Sequence, residues 1–209
     1  MALRINLPNQ ITIGRLVLTI AFCVVLAGYD VREHDADAWR LPVAFVLFVV
    51  SGLSDILDGY LARKHNQETS FGRMLDPFVD KVLVCGAFIF LAGDGFVDEH
   101  GVILSGVTAW MVVVIVGREL LVTGLRGFSE ASGKNFAATV YGKVKMLVQS
   151  LTVGGLLIWF AWLRGAGDGW VWFLTLCKVF VWITVITTAL SALFYLGRAK
   201  GILLEQMRA

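Results

Sequence analysis

Hydrophobic and polar residues follow one another along this chain in long blocks rather than at the short periods of a soluble fold. Apolar stretches long enough to cross ~30 Å of hydrocarbon as helices occur at 11–28, 41–63, 75–93, 101–121, 136–162 and 170–197, with polar punctuation between them. The pattern predicts an all-α polytopic membrane protein, a bundle of six transmembrane helices, with residues 1–209 as a single domain. The third helix is expected to begin ahead of its apolar part, near Phe71. Residues 1–10 hold Arg4 before a short apolar run. No small-residue cleavage site stands out, so they read as an uncleaved, interfacial lead-in to the first helix.

Composition agrees with the blocks. The chain of 209 residues is 57% hydrophobic and 16% charged, with a mean hydropathy of +0.76. A soluble domain of this size has too small a core to hide that much apolar surface. Lys plus Arg number 18 and Asp plus Glu 16, a formal +2, which argues against a nucleic-acid partner. Cys23, Cys85 and Cys177 all fall within apolar spans, so a disulfide framework is not expected.

The placement of the charges says more than their sum. With both termini and the 64–74 and 122–135 connections on one side, the other side keeps only Arg32, Arg40 and Arg164, and Lys178 is left inside the sixth span. The basic excess marks the cytoplasmic face, so both termini are expected to be cytoplasmic. The opposite loops carry Asp30, Glu33, Asp35 and Asp37, then Asp94, Asp98 and Glu99. Trp39, Trp162 and Trp170 lie near that boundary, as an interfacial aromatic belt would.

Ionisable residues in or near a span are costly and point to function when partners can be named. One cluster runs Ser54-Asp55-Ile56-Leu57-Asp58-Gly59-Tyr60-Leu61-Ala62-Arg63, then Gly72-Arg73-Met74-Leu75-Asp76-Pro77-Phe78-Val79-Asp80-Lys81. At ~100° per residue, Asp58 lies about −60°, Gly59 about +40° and Ala62 about −20° from Asp55, so both carboxylates share a helix face with two small residues. Gly72, Asp76 and Asp80 form a second stripe at i, i+4, i+8 on the next helix. Two helices joined at the cytoplasmic end run antiparallel, so the stripes can face each other.

Four carboxylates brought together would take up protons unless cations held them. Oxygen ligands without His or Cys suit Mg²⁺, Mn²⁺ or Ca²⁺, and a pair of such ions serves phosphoryl-type displacement. The small residues would let a nucleotide diphosphate approach the backbone. Gly and Ala in membrane helices also make packing notches, and a lone Asp near a helix end can simply be solvated. It is the coincidence of the whole spacing Asp-x2-Asp-Gly-x2-Ala-Arg-x8-Gly-x3-Asp-x3-Asp that argues for a site.

This signature, over 55–80, resembles that of the CDP-alcohol phosphotransferases, integral membrane enzymes of phospholipid synthesis. Asp55, Asp58, Gly59, Ala62, Arg63, Gly72, Asp76 and Asp80 match it without gap or substitution. The resemblance implies two divalent cations, Mg²⁺ or Mn²⁺, bound by Asp55, Asp58, Asp76 and Asp80, with Asp80 also the general base. It implies that Asn9, Asp58, Gly59, Ala62, Arg63 and Gly72 seat the CDP-lipid. It further implies a homodimer in a bacterial inner membrane, with the site facing the cytoplasm.

The acceptor alcohol has to be read elsewhere. Gly117-Arg118-Glu119 with Thr123-Gly124-Leu125-Arg126, and Gly142-Lys143-Val144-Lys145 with Gln149, lie at the cytoplasmic ends of the fourth and fifth spans. Arg118, Arg126, Lys143 and Lys145 would suit an anionic acceptor such as a phosphate monoester. Basic residues at that face are also what the orientation rule produces by itself. Lys143 and Lys145 lie ~200° apart on a regular helix, so both cannot easily point into one pocket, and Lys145 shares a face with Gln149.

These segments, with Asn6-Leu7-Pro8-Asn9-Gln10-Ile11-Thr12-Ile13-Gly14-Arg15, are similar to the branch of the family that uses glycerol 3-phosphate, although Met146 stands where that branch carries Thr. The resemblance thus implies transfer of a phosphatidyl group from CDP-diacylglycerol to glycerol 3-phosphate. Other acceptors for the same chemistry are phosphatidylglycerol, serine or an inositol phosphate. A divalent-cation transporter is the reading from another class. Against it, the acids cluster at one end and the later spans hold no matching acidic pair.

Overall fold

Two of the chain's three prolines stand in the first turn of a helix, where the missing amide hydrogen would have no intrahelical partner. In the computed structural model, which describes residues 7–65, 70–131 and 140–206, Pro8 begins α1 (Leu7–Ala27) and Pro42 begins α2 (Arg40–His65). Pro77 lies inside α3 (Ser70–Leu91), and its carbonyl accepts a 2.8 Å hydrogen bond from Lys81 Nζ. Three more long helices follow: α4 (Ala109–Ala131), α5 (Val140–Ile158) and α6 (Val171–Gln206). The end of α5 widens into a π turn over Trp159–Leu163. Among the described residues there is no strand, only an isolated bridge between Val97 and Ile103.

The expected all-α architecture is present, and three helical segments are long and apolar enough to cross a membrane: Gln10–Ala27, Gly142–Leu163 and Asp168–Gly197. Packing supports the same conclusion. Val17 and Val24 on α1, Val113 and Leu120 on α4, and Leu190 and Leu193 on α6 are more than half exposed. Arg15, Thr19, Ser51, Gln149, Thr184 and Ser191 are buried. A water-soluble bundle would reverse that distribution, so the outer faces belong against lipid. Within the bundle α1 packs on α2 and α3, while α6 packs on α4 and α5. Phe22, Leu41, Phe88, Ile115, Leu156 and Phe160 belong to one core that joins the two groups.

The apolar run at 101–121 is helical only from Ala109. Its first part is a loop that turns through Gly101 (φ 77°) and Gly106 (φ 72°). It is pinned by Ser105 Oγ, which donates to the Leu91 carbonyl at 2.6 Å. Positive φ favours glycine, and at Gly106 a Cβ would also come within 2.9 Å of Lys178 Cγ. Lys178, which the sequence leaves without a role, thus lays its stem along that loop.

The acidic loops at this end engage the three basic residues predicted there. Arg32 bridges Asp30 (2.8 Å) and Asp94 (3.1 Å), Arg40 Nε donates to Asp37 (2.7 Å), and Arg164 donates to the Val31 carbonyl (3.3 Å). Asp98 Oδ1 accepts the amides of Val102 (2.8 Å) and His100 (2.9 Å). The Val102 amide above all holds the Asp98 carboxyl below its ordinary range. A depressed folded-state pKa gives an interaction that is complete above the unfolded value of ~3.9 and is lost as pH falls through the folded one. Hydrogen exchange should therefore find the His100 and Val102 amides protected at pH 6 and losing protection only below about pH 4. Asp98→Asn should remove that acid step, and a step that survives in the variant would contradict the assignment.

Candidate active site

The site is built on α1 as much as on the two signature helices. Thr12, Arg15, Thr19, Phe22 and Leu26 are all buried, at spacings that put them on one face of α1. That face packs along both α2 and α3, whose direct contact with each other is small among the described residues. Thr19 and Ser51 hydroxyls meet at 3.3 Å across α1 and α2. Among the described residues, the two helices that carry the aspartates are therefore joined mainly by way of the first helix.

The side chain that joins them is Arg15. Its Nη1 lies 2.8 Å from Asp55 Oδ1 on α2, and its Nη2 donates to Asp80 Oδ1 on α3. The guanidinium side chain is 1% exposed, whereas Asp55 and Asp80 are 28% and 35% exposed. Arg15 thus forms a closed floor beneath two carboxylates that open toward solvent. One cation draws together acids from separate helices, and their donor set is all oxygen, the chemistry of a hard divalent ion. Asp58 and Asp76 occupy the next turn of α2 and α3 toward the 66–69 connection, on the same sides as Asp55 and Asp80 by register. The side chains of Asn9, Asp58, Gly59, Ala62, Arg63, Gly72 and Asp76 lie outside the described residues.

A second cluster gathers at α4, α5 and α6. Glu119 accepts hydrogen bonds from Arg118 Nη1 (3.2 and 3.3 Å) and from Lys145 Nζ. Arg118 Nη2 donates to Ser191 Oγ at 2.7 Å. Two guanidiniums approach the Tyr195 ring, with Arg118 Cζ 5.5 Å and Arg126 Cζ 5.8 Å from its centroid. Its hydroxyl accepts from Arg126 Nη2 at 3.2 Å. Arg118, Glu119, Lys145, Gln149, Ser191 and Tyr195 are all buried.

Of the four basic residues predicted from sequence, Arg118, Arg126 and Lys145 come together, while Lys143 is exposed, as the ~200° between the two lysines requires. Met146 is also exposed, so its departure from Thr falls outside the buried cluster. The two clusters are neighbours. Lys81, adjacent to Asp80, is within electrostatic reach of both Glu119 and Arg126.

Arg15, Ser191 and Tyr195 are the members of these clusters that sequence reasoning did not assign. Arg15 had a signal, a cation between two threonines on one face of an apolar span, but the orientation rule already accounted for a basic residue there. Ser191 and Tyr195 are recognisable only once α6 packs on α4.

The profile of the family described as CDP-alcohol phosphatidyltransferase matches residues 5–193. The chain belongs to this family. Relatives in it bear the name CDP-diacylglycerol–glycerol-3-phosphate 3-phosphatidyltransferase. That of Bacillus subtilis (strain 168) is 39% identical over 158 residues, covering 73% of this chain and 77% of the relative. That of Salmonella typhimurium is 31% identical over 210 residues, covering 98% and 100%. The protein of Rickettsia felis is 31% identical over 195 residues, covering 93% and 96%. The family match spans Arg15, both signature helices and the Arg118–Lys145 cluster.

Removing one partner from a buried ion pair leaves the other uncompensated, at a cost of about 3–5 kcal/mol when both are fully buried. Because Asp55 and Asp80 reach solvent, Arg15→Gln is expected to cost less, about 1–3 kcal/mol. The measurement is thermal unfolding of the purified protein in chelator-treated detergent. The midpoint should fall by several degrees, and an unchanged midpoint would contradict the bridging role.

Proposed function

We propose that this chain transfers the phosphatidyl group of CDP-diacylglycerol to glycerol 3-phosphate and releases CMP. The observation that carries the reading is the juxtaposition of an oxygen-only acidic site, partly open to solvent, with a largely buried basic cluster that Lys81, next to Asp80, approaches. The first suits a metal-bound diphosphate and the second a phosphate monoester. The names of the relatives specify the same pair of substrates.

On this reading Asp55, Asp58, Asp76 and Asp80 hold two divalent cations, Mg²⁺ or Mn²⁺. Bound there, the ions supply neutralisation of the charge that grows on the diphosphate as CMP leaves. Arg15 brings Asp55 and Asp80 to one level, and both remain partly exposed, so ions could reach them. Asn9, Gly59, Ala62, Arg63 and Gly72, with Asp58, seat the CDP moiety. The small residues leave room beside the helix backbone.

Arg118, Arg126 and Lys145 grip the acceptor phosphate and orient its primary hydroxyl toward Asp80. Asp80 takes the hydroxyl proton. The oxygen then forms a bond to the lipid-side phosphorus, and the bond from that phosphorus to the CMP oxygen breaks. Positioning and electrostatics supply most of the rate, as in other phosphoryl transfers.

The wider setting follows from the charge distribution. Six spans with both termini in the cytoplasm would put the signature end at the cytoplasmic face of a bacterial inner membrane. There a water-soluble acceptor meets the head of the donor, while the acyl chains lie between helices. A homodimer would cover part of the otherwise lipid-facing apolar surface.

The general-base role is tested with Asp80→Asn, which keeps the side chain's size but not its basicity. CMP release from CDP-diacylglycerol and glycerol 3-phosphate with Mg²⁺ should drop by roughly 10²–10⁴-fold. Turnover at the wild-type rate would exclude Asp80 as the base.

A further inference from the structure

Glu119 is an acid placed where the proposed chemistry calls for cations. It sits 9% exposed in the middle of the basic cluster, and nothing in the transfer reaction uses a carboxylate there. Its contacts suggest what it does. One carboxylate holds Arg118 Nη1 from its own helix and Lys145 Nζ from α5, so two cations that would repel each other are kept side by side. Arg118 is fixed at its other end by Ser191 Oγ, and Tyr195 backs it with a ring face.

The arrangement leaves donors over. Among the described residues, Arg118 Nε, Arg126 Nε and Gln149 Nε2 are buried without a hydrogen-bond partner. Gln149 is one turn from Lys145 on the same helix face. A buried donor left without an acceptor costs about 1–3 kcal/mol, so these atoms favour a ligand rich in acceptor oxygens.

The charges count the same way. Arg118, Arg126 and Lys145 against Glu119 give +2 before any ligand binds. Lys81, at the edge of the cluster, is left out of that sum because its ammonium donates to the Pro77 carbonyl and its charge is offset by neighbouring Asp80. A dianionic phosphate monoester would bring the cluster to zero. A singly charged phosphodiester would leave +1 buried and a zwitterionic amino acid +2, and uncompensated buried charge is expensive.

We propose that Glu119 is a positioning residue that holds Arg118 and Lys145 as a spaced pair and sets the charge of the cluster to match a dianionic phosphate monoester. The inference rests on the reading of this cluster as the acceptor site. Glu119 touches neither substrate. It acts through the two cations, and removing it leaves them mutually repelling with Lys145 no longer aimed.

The test is steady-state CMP release by the full-length protein in lipid nanodiscs, with CDP-diacylglycerol and glycerol 3-phosphate varied in turn. E119Q should raise KM for glycerol 3-phosphate about tenfold or more while KM for CDP-diacylglycerol stays within about twofold. A purely structural role would move both together. The double variant E119Q/K145M removes one buried charge of each sign and guards against misfolding of the single variant. It should lose no more affinity for glycerol 3-phosphate than K145M alone, because it returns the cluster to +2 where K145M leaves +1, and Arg118 is still held by Ser191. Unchanged KM for glycerol 3-phosphate in E119Q, parallel rises in both KM values, or additive losses in the double variant would overturn the positioning role alone. Wild-type protein that turned over with another alcohol but not with glycerol 3-phosphate would overturn the acceptor-site reading and this inference with it.

Discussion

A guanidinium closed off from solvent, with a carboxylate from a different helix on each side, sets the geometry of this bundle. Arg15 cannot lie buried on α1 without counter-charges, and Asp55 and Asp80 cannot approach one another without a cation. Each therefore fixes where the others stand, and three helices are held in register at one level. The apolar faces of α1, α2 and α3 would allow many rotations about their axes. The ion pairs of Arg15 specify one of them, with Asp55 and Asp80 partly open to solvent and the arginine beneath.

The same constraint, that charge inside an apolar bundle must be matched locally, shapes the second cluster. Arg118, Lys145, Arg126 and Glu119 compensate one another while Tyr195 and Ser191 supply a wall and an anchor. The two clusters differ in openness. The acidic pair is about one-third exposed, whereas Arg118, Lys145 and Glu119 are buried and Arg126 is partly so. On the proposed reading the open one receives the metal-bound head of a lipid nucleotide. The closed one receives a small anion, so the reacting atoms meet on the Asp80 side of α3.

Much of this is legible in the linear sequence because it depends on local periodicity. The i, i+3 and i, i+4 spacings of Asp55, Asp58, Asp76 and Asp80 put them on single helix faces whatever else the chain does. The ~200° between Lys143 and Lys145 already says that only one can turn inward. What sequence does not carry is pairing between distant helices. The bond from Arg118 to Ser191 joins residues far apart in the chain, and Arg15 reads as one more basic residue of the cytoplasmic face until α1 is seen to pack against both α2 and α3. Hydropathy also overstates the fourth span. The Val102–Val107 stretch is as apolar as a helix, but Gly101 and Gly106 at positive φ turn it into a loop.

The central claim is that the acidic and basic clusters together join a CDP-linked lipid to a phosphorylated alcohol. It is tested most directly by incubating purified protein with CDP-diacylglycerol and radiolabelled glycerol 3-phosphate, with Mg²⁺ or with chelator, and following label into the lipid phase alongside CMP release. Label should enter the lipid in step with CMP, only when the divalent ion is present, and unlabelled phosphatidylglycerol or serine should not substitute for the acceptor. CMP release that proceeds without label entering the lipid, or that is faster with either of those other alcohols, would contradict the account.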